Sequence, residues 1–172
     1  ALANILAGKQ RRIYLGNLDA KRDWGFAPEY VEMMWLMLQQ DKPEDFVIAT
    51  GKQYTVRDFI NKSAKALGIT LKFEGEGLNE VGRVENIDAD TAENNICVKP
   101  GDVMVAVDEK YYRPTEVDTL LGDPARAKSK LGWETRVTLD EMIVEMIQND
   151  LQIAKRNRLL IDSGFDVNQT FE

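Results

Sequence analysis

The chain has 172 residues, 44% of them hydrophobic and 30% charged, a balance typical of a globular protein with one well-formed core. The formal net charge is −7, and the sequence contains no histidine and one cysteine, Cys97. These features exclude a broad basic surface for nucleic acid, an intrachain disulfide and a zinc site built on histidine. No apolar run approaches the roughly 20 residues of a membrane span. We therefore expect a cytoplasmic protein with no nucleic-acid, membrane or metal partner.

The first part of the chain alternates helix and strand signals. Residues 1–7 predict a helix that ends at Gly8, and residues 13–15 predict a short strand. A second helix begins near Pro28, a residue that suits the first turn, and ends before Asp41. Because the chain opens within a helix and without Met, we expect it to be the later part of a longer protein.

The middle of the chain continues this alternation. Residues 46–49 predict a buried strand, and Thr55 is a candidate N-cap for a helix that ends at Gly68. Residues 71–74 predict another strand. Residues 75–101 are rich in Gly, Asn, Asp and Glu, so we interpret them as an insertion or loop, with one short strand near its residues 84–87.

The last part predicts one strand and two helices. The strand covers residues 103–107, and Asp123-Pro124 begins a short helix that runs to Leu131. Thr138 begins a capping box and an amphipathic helix of about four to five turns. We assign residues 1–157 to one carboxy-terminal portion that holds a binding domain, and residues 158–172 to a tail.

Two arginines are candidates for anion binding. Arg22 lies in Lys-Arg-Asp-Trp and Arg113 in Tyr-Tyr-Arg-Pro, each next to aromatic residues at a change of secondary structure. A guanidinium matches phosphate oxygens with a planar fork of donors and stays charged at any working pH. An ordinary ion pair is the alternative for each arginine. A net charge of −7 means that such residues must act locally rather than through the overall field.

Four sequence segments carry a family resemblance. They are Gly16-Asn-Leu-Asp-Ala-Lys-Arg-Asp-Trp24, Ala27-Pro-Glu-Tyr-Val31, Tyr111-Tyr-Arg-Pro-Thr-Glu-Val-Asp118 and Leu121-Gly-Asp-Pro-Ala-Arg-Ala-Lys-Ser-Lys-Leu-Gly-Trp133. Taken in this order, they resemble the GDP-mannose 4,6-dehydratase family of the extended short-chain dehydrogenase/reductase superfamily. Phe26 departs from the pattern, because many relatives have histidine there; we do not expect this change to abolish binding.

The resemblance implies an α/β fold: the mixed helix and short-strand, substrate-binding portion of a Rossmann-type NAD(P)-binding enzyme. The family converts GDP-mannose to GDP-4-keto-6-deoxymannose, on the route to GDP-fucose and other deoxyhexoses, with a tightly held NADP. Its cofactor loop, its Glu and its Tyr-x-x-x-Lys pair lie in an amino-terminal half that we expect to be absent from this chain. The sequence has no Gly-x-Gly-x-x-Gly loop and no Tyr-x-x-x-Lys pair. We therefore assign no catalytic residue, leave the cofactor-binding residues unknown and expect the chain alone to be inactive.

The resemblance also implies the substrate-binding residues. Arg22 and Arg113 match arginines that bind the GDP diphosphate, and Glu116 matches a carboxylate near the nucleotide. Tyr14 and Asn17 lie where the superfamily's strand and turn line the nucleotide. Homo-oligomers, dimers or tetramers, are usual in the family.

Two other functions stay open from the sequence. An epimerase or reductase of the same superfamily would also bind a sugar nucleotide through a diphosphate. A non-enzymatic binding module would need none of the catalytic groups that the sequence lacks. Cys97 is best interpreted as a small apolar filler, and Lys9-Gln-Arg-Arg12 as a solvated helix end.

Overall fold

The computed structural model describes residues 1–93, 96–117 and 119–167. Asn94 and Asn95 of the predicted loop, Asp118 of the Arg113 motif and residues 168–172 of the predicted tail lie outside the described residues. The helices are α1 (Leu2–Leu6), α2 (Ala27–Leu38), α3 (Val56–Ala66), α4 (Ala89–Ala92), α5 (Ala125–Leu131) and α6 (Leu139–Asp162). The strands are β1 (Ile13–Leu15), β2 (Lys21–Arg22), β3 (Tyr54–Thr55), β4 (Ile69–Glu74), β5 (Val81–Ile87) and β6 (Val103–Val107).

A mixed four-stranded sheet with the order β1-β6-β5-β4 forms the centre of the fold. β1 pairs in parallel with β6, while β6 pairs with β5 and β5 with β4 in antiparallel fashion. Helices and short strands around one sheet confirm the predicted α/β class. A separate ribbon pairs β2 with β3, and its register places Arg22 opposite Tyr54.

The main core lies between this sheet and helices α1, α3 and α6. Met104 and Val105 of β6 are fully buried in it, beside Ile69 of β4 and Ile60 of α3. β6 is buried because it is an inner strand with a hydrophobic run, Val-Met-Val-Ala-Val, and such strands are covered on both faces. The core fixes both β1 and β6, and the ends of these strands carry the candidate site.

A second apolar cluster joins α2 to α5. Met33 and Trp133 are its buried centre, and the Trp133 indole N–H donates to the carbonyl of Glu29 at 3.0 Å. The buried Glu29 carboxylate accepts from the backbone N–H of Arg136 at 2.8 Å and of Val137 at 3.1 Å. The link between α5 and α6 is thereby tied to α2. No pattern in the sequence indicates this role for Glu29.

Both helix caps predicted at threonine residues are present. Thr55 accepts from the N–H of Asp58 while the Asp58 carboxylate accepts from the N–H of Thr55, and Thr138 forms the same capping box with Glu141. Each box joins groups three residues apart, so a local sequence pattern suffices to predict it. The predicted ends at Gly8, Gly68 and Gly132 are confirmed by positive φ angles.

The strand predicted at residues 46–49 is not formed among the described residues. Phe46 and Ile48 turn inward to the cluster of α2 and α5, and Val47 is exposed, so the segment has the alternation of a strand without a ladder. A strand is defined by a hydrogen-bonded neighbour, and the described part of the chain offers none here. The sequence prediction was wrong because it rests on side-chain pattern and not on pairing.

Two predicted boundaries also differ from the structure. The segment 75–101 contains the whole of β5, which pairs with β4 and β6, and also α4. Its Gly82 and Val84 are buried, whereas the adjacent Glu85 and Asn86 are both exposed, so apolar and polar residues do not alternate along the whole strand and the sequence pattern is weak. Helix α6 continues to Asp162, into the predicted tail, where Arg158 and Asp162 form an (i, i+4) ion pair at 2.8 Å.

Candidate functional site

A cleft of about 470 Å³ opens at the carboxyl ends of β1 and β6. Gly16 and Asn17 directly follow β1, and Val107 ends β6. Ligands of open α/β sheets bind outside the carboxyl ends of parallel strands, and this is where β1 and β6 run in parallel. The other lining residues are Leu18, Asp19, Ala20, Lys21, Gly77, Glu80, Tyr112, Glu116 and Thr119.

Gly16 lets the two arginine motifs meet. A Cβ at this position would lie 2.1 Å from the carbonyl oxygen of Tyr111, which is far below any normal contact. The absence of a side chain therefore allows the segment around Tyr111 to pass directly over the turn after β1. We infer that this close approach forms one wall of the cleft.

Asn17 holds the backbone of Arg113 at two points. Its side-chain N–H donates to the carbonyl of Arg113 at 2.9 Å, and its side-chain oxygen accepts from the N–H of Arg113 at 2.9 Å. The Arg113 side chain is exposed and forms no ion pair with a described residue. The amide therefore fixes where the arginine leaves the backbone and leaves its guanidinium available.

Arg22 is ion-paired with Glu116 across 94 positions of sequence. The distance from Arg22 Nη2 to Glu116 Oε1 is 2.7 Å, and the Arg22 Nη1 group also donates to the carbonyls of Lys21 at 2.7 Å and Val117 at 3.0 Å. The side chains are 27% and 15% exposed, respectively. Of five guanidinium N–H donors, three are thus engaged and two stay available for a ligand.

The acidic neighbour of Arg22 in the sequence has another role. Asp23 accepts from the N–H and the hydroxyl of Thr50 at 3.0 and 2.6 Å, and from the N–H of Gly51 at 2.9 Å. It therefore fixes the loop before β3 and not the arginine beside it. Arg22 finds its carboxylate in Glu116 instead, because β2 and the segment after Arg113 lie side by side.

Of the five residues expected to bind substrate, Asn17 and Glu116 line the cleft, whereas Arg22 and Arg113 are joined to it through them. Tyr14 does not line the cleft. It lies in the middle of β1 with 48% of its surface exposed, and its neighbours Ile13 and Leu15 point to the core.

Five lining residues carry polar side chains that the sequence did not single out: Asp19, Lys21, Glu80, Tyr112 and Thr119. Thr119 is fixed by Gln53 through two hydrogen bonds of 2.7 and 2.9 Å. Tyr112 lies next to Arg113 in the segment 111–118 that resembles the family, so the sequence could have indicated it as a site residue. Glu80 belongs to the segment that we interpreted as a loop, which is why it was missed.

Arg57 offsets part of the negative charge on the acidic side of the cleft. Its guanidinium forms hydrogen bonds with the Glu80 carboxylate. It also donates to the Asp19 carboxylate at 2.9 and 3.0 Å. The guanidinium carbon lies 4.8 Å from the centre of the Phe73 ring. Hydrogen bonds to Glu80 and then to Asp19 raise the pKa of Arg57, so it stays charged. The carboxylates of the cleft are therefore paired, which reduces their repulsion of an anionic ligand.

Within residues 1–93, 96–117 and 119–167, no cluster of three or more metal-ligating side chains is found. In the same ranges, none of the helices combines the length and the apolar character that a bilayer crossing requires.

The sequence profile of the GDP-mannose 4,6-dehydratase family matches residues 1–146. The chain is 56% identical over 166 residues to a GDP-mannose 4,6-dehydratase of Vibrio cholerae, a match that covers 96% of the chain and 44% of the relative. It is 50% identical to the human GDP-mannose 4,6 dehydratase over 157 residues, or 91% of the chain and 39% of the relative. The chain thus spans less than half the length of these curated relatives.

Solved structures support the same fold. The structure of RMD from Pseudomonas aeruginosa with NADPH matches with a TM-score of 0.60 and 15% identity, over 88% of this chain and 40% of that one. The UDP-glucose 4-epimerase of Bifidobacterium longum with NAD+ and UDP matches with a TM-score of 0.58 and 16% identity, over 91% and 39%. The fold is therefore shared with the matched parts of these two structures. The chain belongs to the GDP-mannose 4,6-dehydratase family.

Proposed function

We propose that the chain is the carboxy-terminal, substrate-binding portion of a lyase that converts GDP-mannose to GDP-4-keto-6-deoxymannose. The observation that supports this most directly is the cleft at the ends of β1 and β6, which joins Arg22 and Arg113 through Glu116 and Asn17. Its position, its paired carboxylates and its two accessible arginines suit a nucleotide diphosphate. The family match points to GDP-mannose as the substrate.

In this proposal the two arginines bind the diphosphate. Arg22 is held in place by its three bonds and offers its remaining donors, while Arg113 offers its whole guanidinium. Hydrogen bonds to charged groups contribute roughly 1.5–3 kcal/mol each, so two of them supply about 3–6 kcal/mol. That free energy positions a diphosphate with roughly millimolar to tens-of-micromolar affinity, and further contacts must select the base.

The remaining polar groups are assigned to the nucleoside. Glu116 has a second carboxylate oxygen, besides the one that binds Arg22, with which to accept from ribose hydroxyls or a guanine edge. Asn17 is occupied by the backbone of Arg113, so we assign it a positioning role. Tyr14 keeps a nucleotide-binding role only if the ligand extends beyond the cleft along β1.

The dehydratase reaction needs a hydride carrier, and NADP would supply that chemistry. The residues of this chain do not fit the cofactor's pyrophosphate, because the sequence has no Gly-x-Gly-x-x-Gly loop between a strand and a helix. We therefore propose that NADP is held mainly by a separate amino-terminal portion, and we derive no catalytic step from the residues described here. Assembly as a dimer or tetramer stays a prediction from the family.

An apolar face on α2 supports the view that this portion works within a larger enzyme. Val31, Met34, Trp35 and Leu38 stand at positions i, i+3, i+4 and i+7 of the helix, and each is more than half exposed. An amphipathic helix of a monomer would turn such a stripe inward. We propose that this face, with the strand-like segment 46–49 nearby in sequence, packs against the cofactor-binding portion.

The full-length protein tests this proposal. Incubated with GDP-mannose and NADP, it should release GDP-4-keto-6-deoxymannose, whereas this chain alone should release none. A competition titration with GDP and UDP separates the dehydratase from a superfamily epimerase or reductase that uses a uridine substrate. Preference for UDP, or a product that keeps its 6-hydroxyl group, would overturn the proposal.

A further inference from the structure

A second groove lies at the opposite ends of the strands that form the cleft. Arg12 directly precedes β1 and Asp102 directly precedes β6, so the groove is separated from the cleft by the length of these strands. A three-residue strand spans about 10 Å. The groove has a volume of about 390 Å³, and Gln10, Arg11, Arg12, Asp102 and Arg158 supply its charged and amide side chains. We refer to it as the basic groove.

Three parts of the chain meet at this groove around Gly8. A Cβ on Gly8 would lie 2.7 Å from Cys97 Sγ and 3.1 Å from Arg158 Nη1, and the residue has a φ of +70°. The N–H of Cys97 also donates to the carbonyl of Leu6 at 2.9 Å. A glycine is therefore required both for the turn and for the approach of the other two segments. The groove is a feature of the packed fold, and not of one exposed loop.

The charges at the groove are unbalanced. Arg11 and Arg12 form no ion pair with any residue in the described ranges, whereas Arg158 pairs with Asp162 at 2.8 Å. Asp102 is the carboxylate of the lining, and it accepts from the N–H of Lys99 at 3.0 Å. Two guanidinium groups without an ion pair among the described residues thus line the groove beside one carboxylate, in a chain whose net charge is −7.

Arg11 and Arg12 both line the groove. The Gln10 side chain donates to the carbonyl of Arg12 at 2.8 Å, which fixes the turn that presents Arg11 and Arg12. Like charges that line one groove repel each other, and a bound anion relieves that repulsion. A guanidinium fork matches the oxygens of phosphate in particular.

We propose that the basic groove binds a small phosphorylated anion at a site separate from the GDP cleft. The size of the groove admits one or two phosphate groups with a small body. A long polyanion is disfavoured because the overall negative charge of the chain repels it. The site goes beyond the proposed dehydratase function, since it shares no lining residue with the cleft.

Inorganic pyrophosphate is the probe for this site. It is titrated by calorimetry into the full-length protein that has first been saturated with GDP, so that the cleft is occupied. We expect one binding event per chain, weakened about tenfold or more in an Arg11→Ala/Arg12→Ala variant, because each lost charge-assisted bond corresponds to roughly that factor. The affinity for GDP should stay unchanged in that variant.

The matched control removes the same charge elsewhere. Lys42 and Lys65 are exposed and line neither the groove nor the cleft. A Lys42→Ala/Lys65→Ala variant should bind pyrophosphate like the wild type; equal weakening would show a general charge effect and overturn the proposal. Absence of binding to the GDP-saturated protein would also overturn it.

If GDP does not bind, the proposed function is wrong, but pyrophosphate titration still shows whether the basic groove binds an anion. Pyrophosphate is then titrated without GDP into the Arg11→Ala/Arg12→Ala and Arg113→Ala variants. Loss in the first variant with full binding in the second supports the basic groove. The reverse result contradicts it.

Discussion

Arg22 and Glu116 form an ion pair with a 2.7 Å separation, although Glu116 lies 94 positions after Arg22 in the sequence. The carboxylate fixes the direction of the guanidinium, and Glu116 itself lines the cleft. The pair thus has two functions in our account: it orients a phosphate-binding arginine and it places a carboxylate near the nucleoside. Substitutions at either residue should separate these functions.

Replacing Glu116 with Gln should weaken GDP binding by several-fold, because the arginine loses its charged partner while the side chain keeps its shape. Arg22→Ala should weaken it by about tenfold or more, since it removes the phosphate contact itself. Calorimetric titration of the full-length protein with GDP measures both. Arg126→Ala, which removes an exposed arginine paired with Glu44, is the control and should bind like the wild type. Wild-type affinity in Arg22→Ala would contradict the assignment.

Asn17→Ala should weaken GDP binding about three- to tenfold, although the amide is not assigned to the ligand. The substitution removes both bonds that hold the Arg113 backbone, and each such bond is worth about 1 kcal/mol. Asn17→Asp keeps the acceptor for the Arg113 N–H and loses the donor to the Arg113 carbonyl. Its affinity for GDP should therefore lie between those of the wild type and Asn17→Ala. A double-mutant cycle with Arg113→Ala measures the coupling. Additive effects of the two substitutions would show that Asn17 does not act through Arg113.

The apolar face of α2 predicts how the chain behaves alone. Expressed by itself, the 172-residue chain should self-associate, and Trp35→Lys with Leu38→Lys should reduce this association, because the two residues are 59% and 81% exposed. The same double substitution should lower the thermal stability of the full-length protein. Light scattering and a thermal melt measure the two effects. Val144→Lys, at an exposed apolar position of α6, is the control. A monomeric wild-type chain with a cooperative melt would contradict this prediction.

The capping box of α3 predicts acid-sensitive stability. Bonds from the backbone and hydroxyl of Thr55 lower the pKa of Asp58 from its ordinary value of 3.8. Because the folded pKa lies below the unfolded one, this stabilisation is complete above the unfolded value and is lost as pH falls through the folded value. Asp58→Asn should therefore reduce the drop in urea midpoint between neutral pH and about pH 3.

The control for that experiment is Asp41→Asn, an exposed carboxylate after α2 and outside both capping boxes. It should leave the acid dependence as in the wild type. Thr55→Ala removes the hydroxyl acceptor and should destabilise the protein by about 1 kcal/mol at neutral pH. If Asp58→Asn and the wild type lose stability equally on acidification, the Asp58 carboxylate is not the cause of the acid-sensitive stability.

The local parts of the fold were predictable, and the pairings between distant parts were not. The capping boxes at Thr55 and Thr138 depend on residues three positions apart, so they can be read from a short window. The ion pair of Arg22 with Glu116 depends on how β2 lies against a segment 94 residues later. Nothing in the sequence near Arg22 distinguishes that partner from Asp23, which is adjacent and binds Thr50 instead.

The candidate site shows the same division. Arg22, Arg113 and Glu116 were identified because their motifs resemble a family, whereas Arg57 and Glu80 were missed because their importance lies in a tertiary contact. The segment 46–49 shows the opposite case, in which the side-chain pattern was correct and the pairing partner is not in the described chain. Side-chain alternation predicts which face is buried, and strand pairing depends on the neighbour.

The affinity of the Arg113→Ala variant for GDP tests the central claim most directly. Arg113 is exposed and its side chain has no ion pair with a described residue, so truncation should not alter the thermal melt of the full-length protein. Our account predicts that GDP binding weakens about tenfold or more, since the substitution removes a charged phosphate contact. A variant that folds normally and binds GDP with wild-type affinity would contradict the assignment of this cleft to the diphosphate.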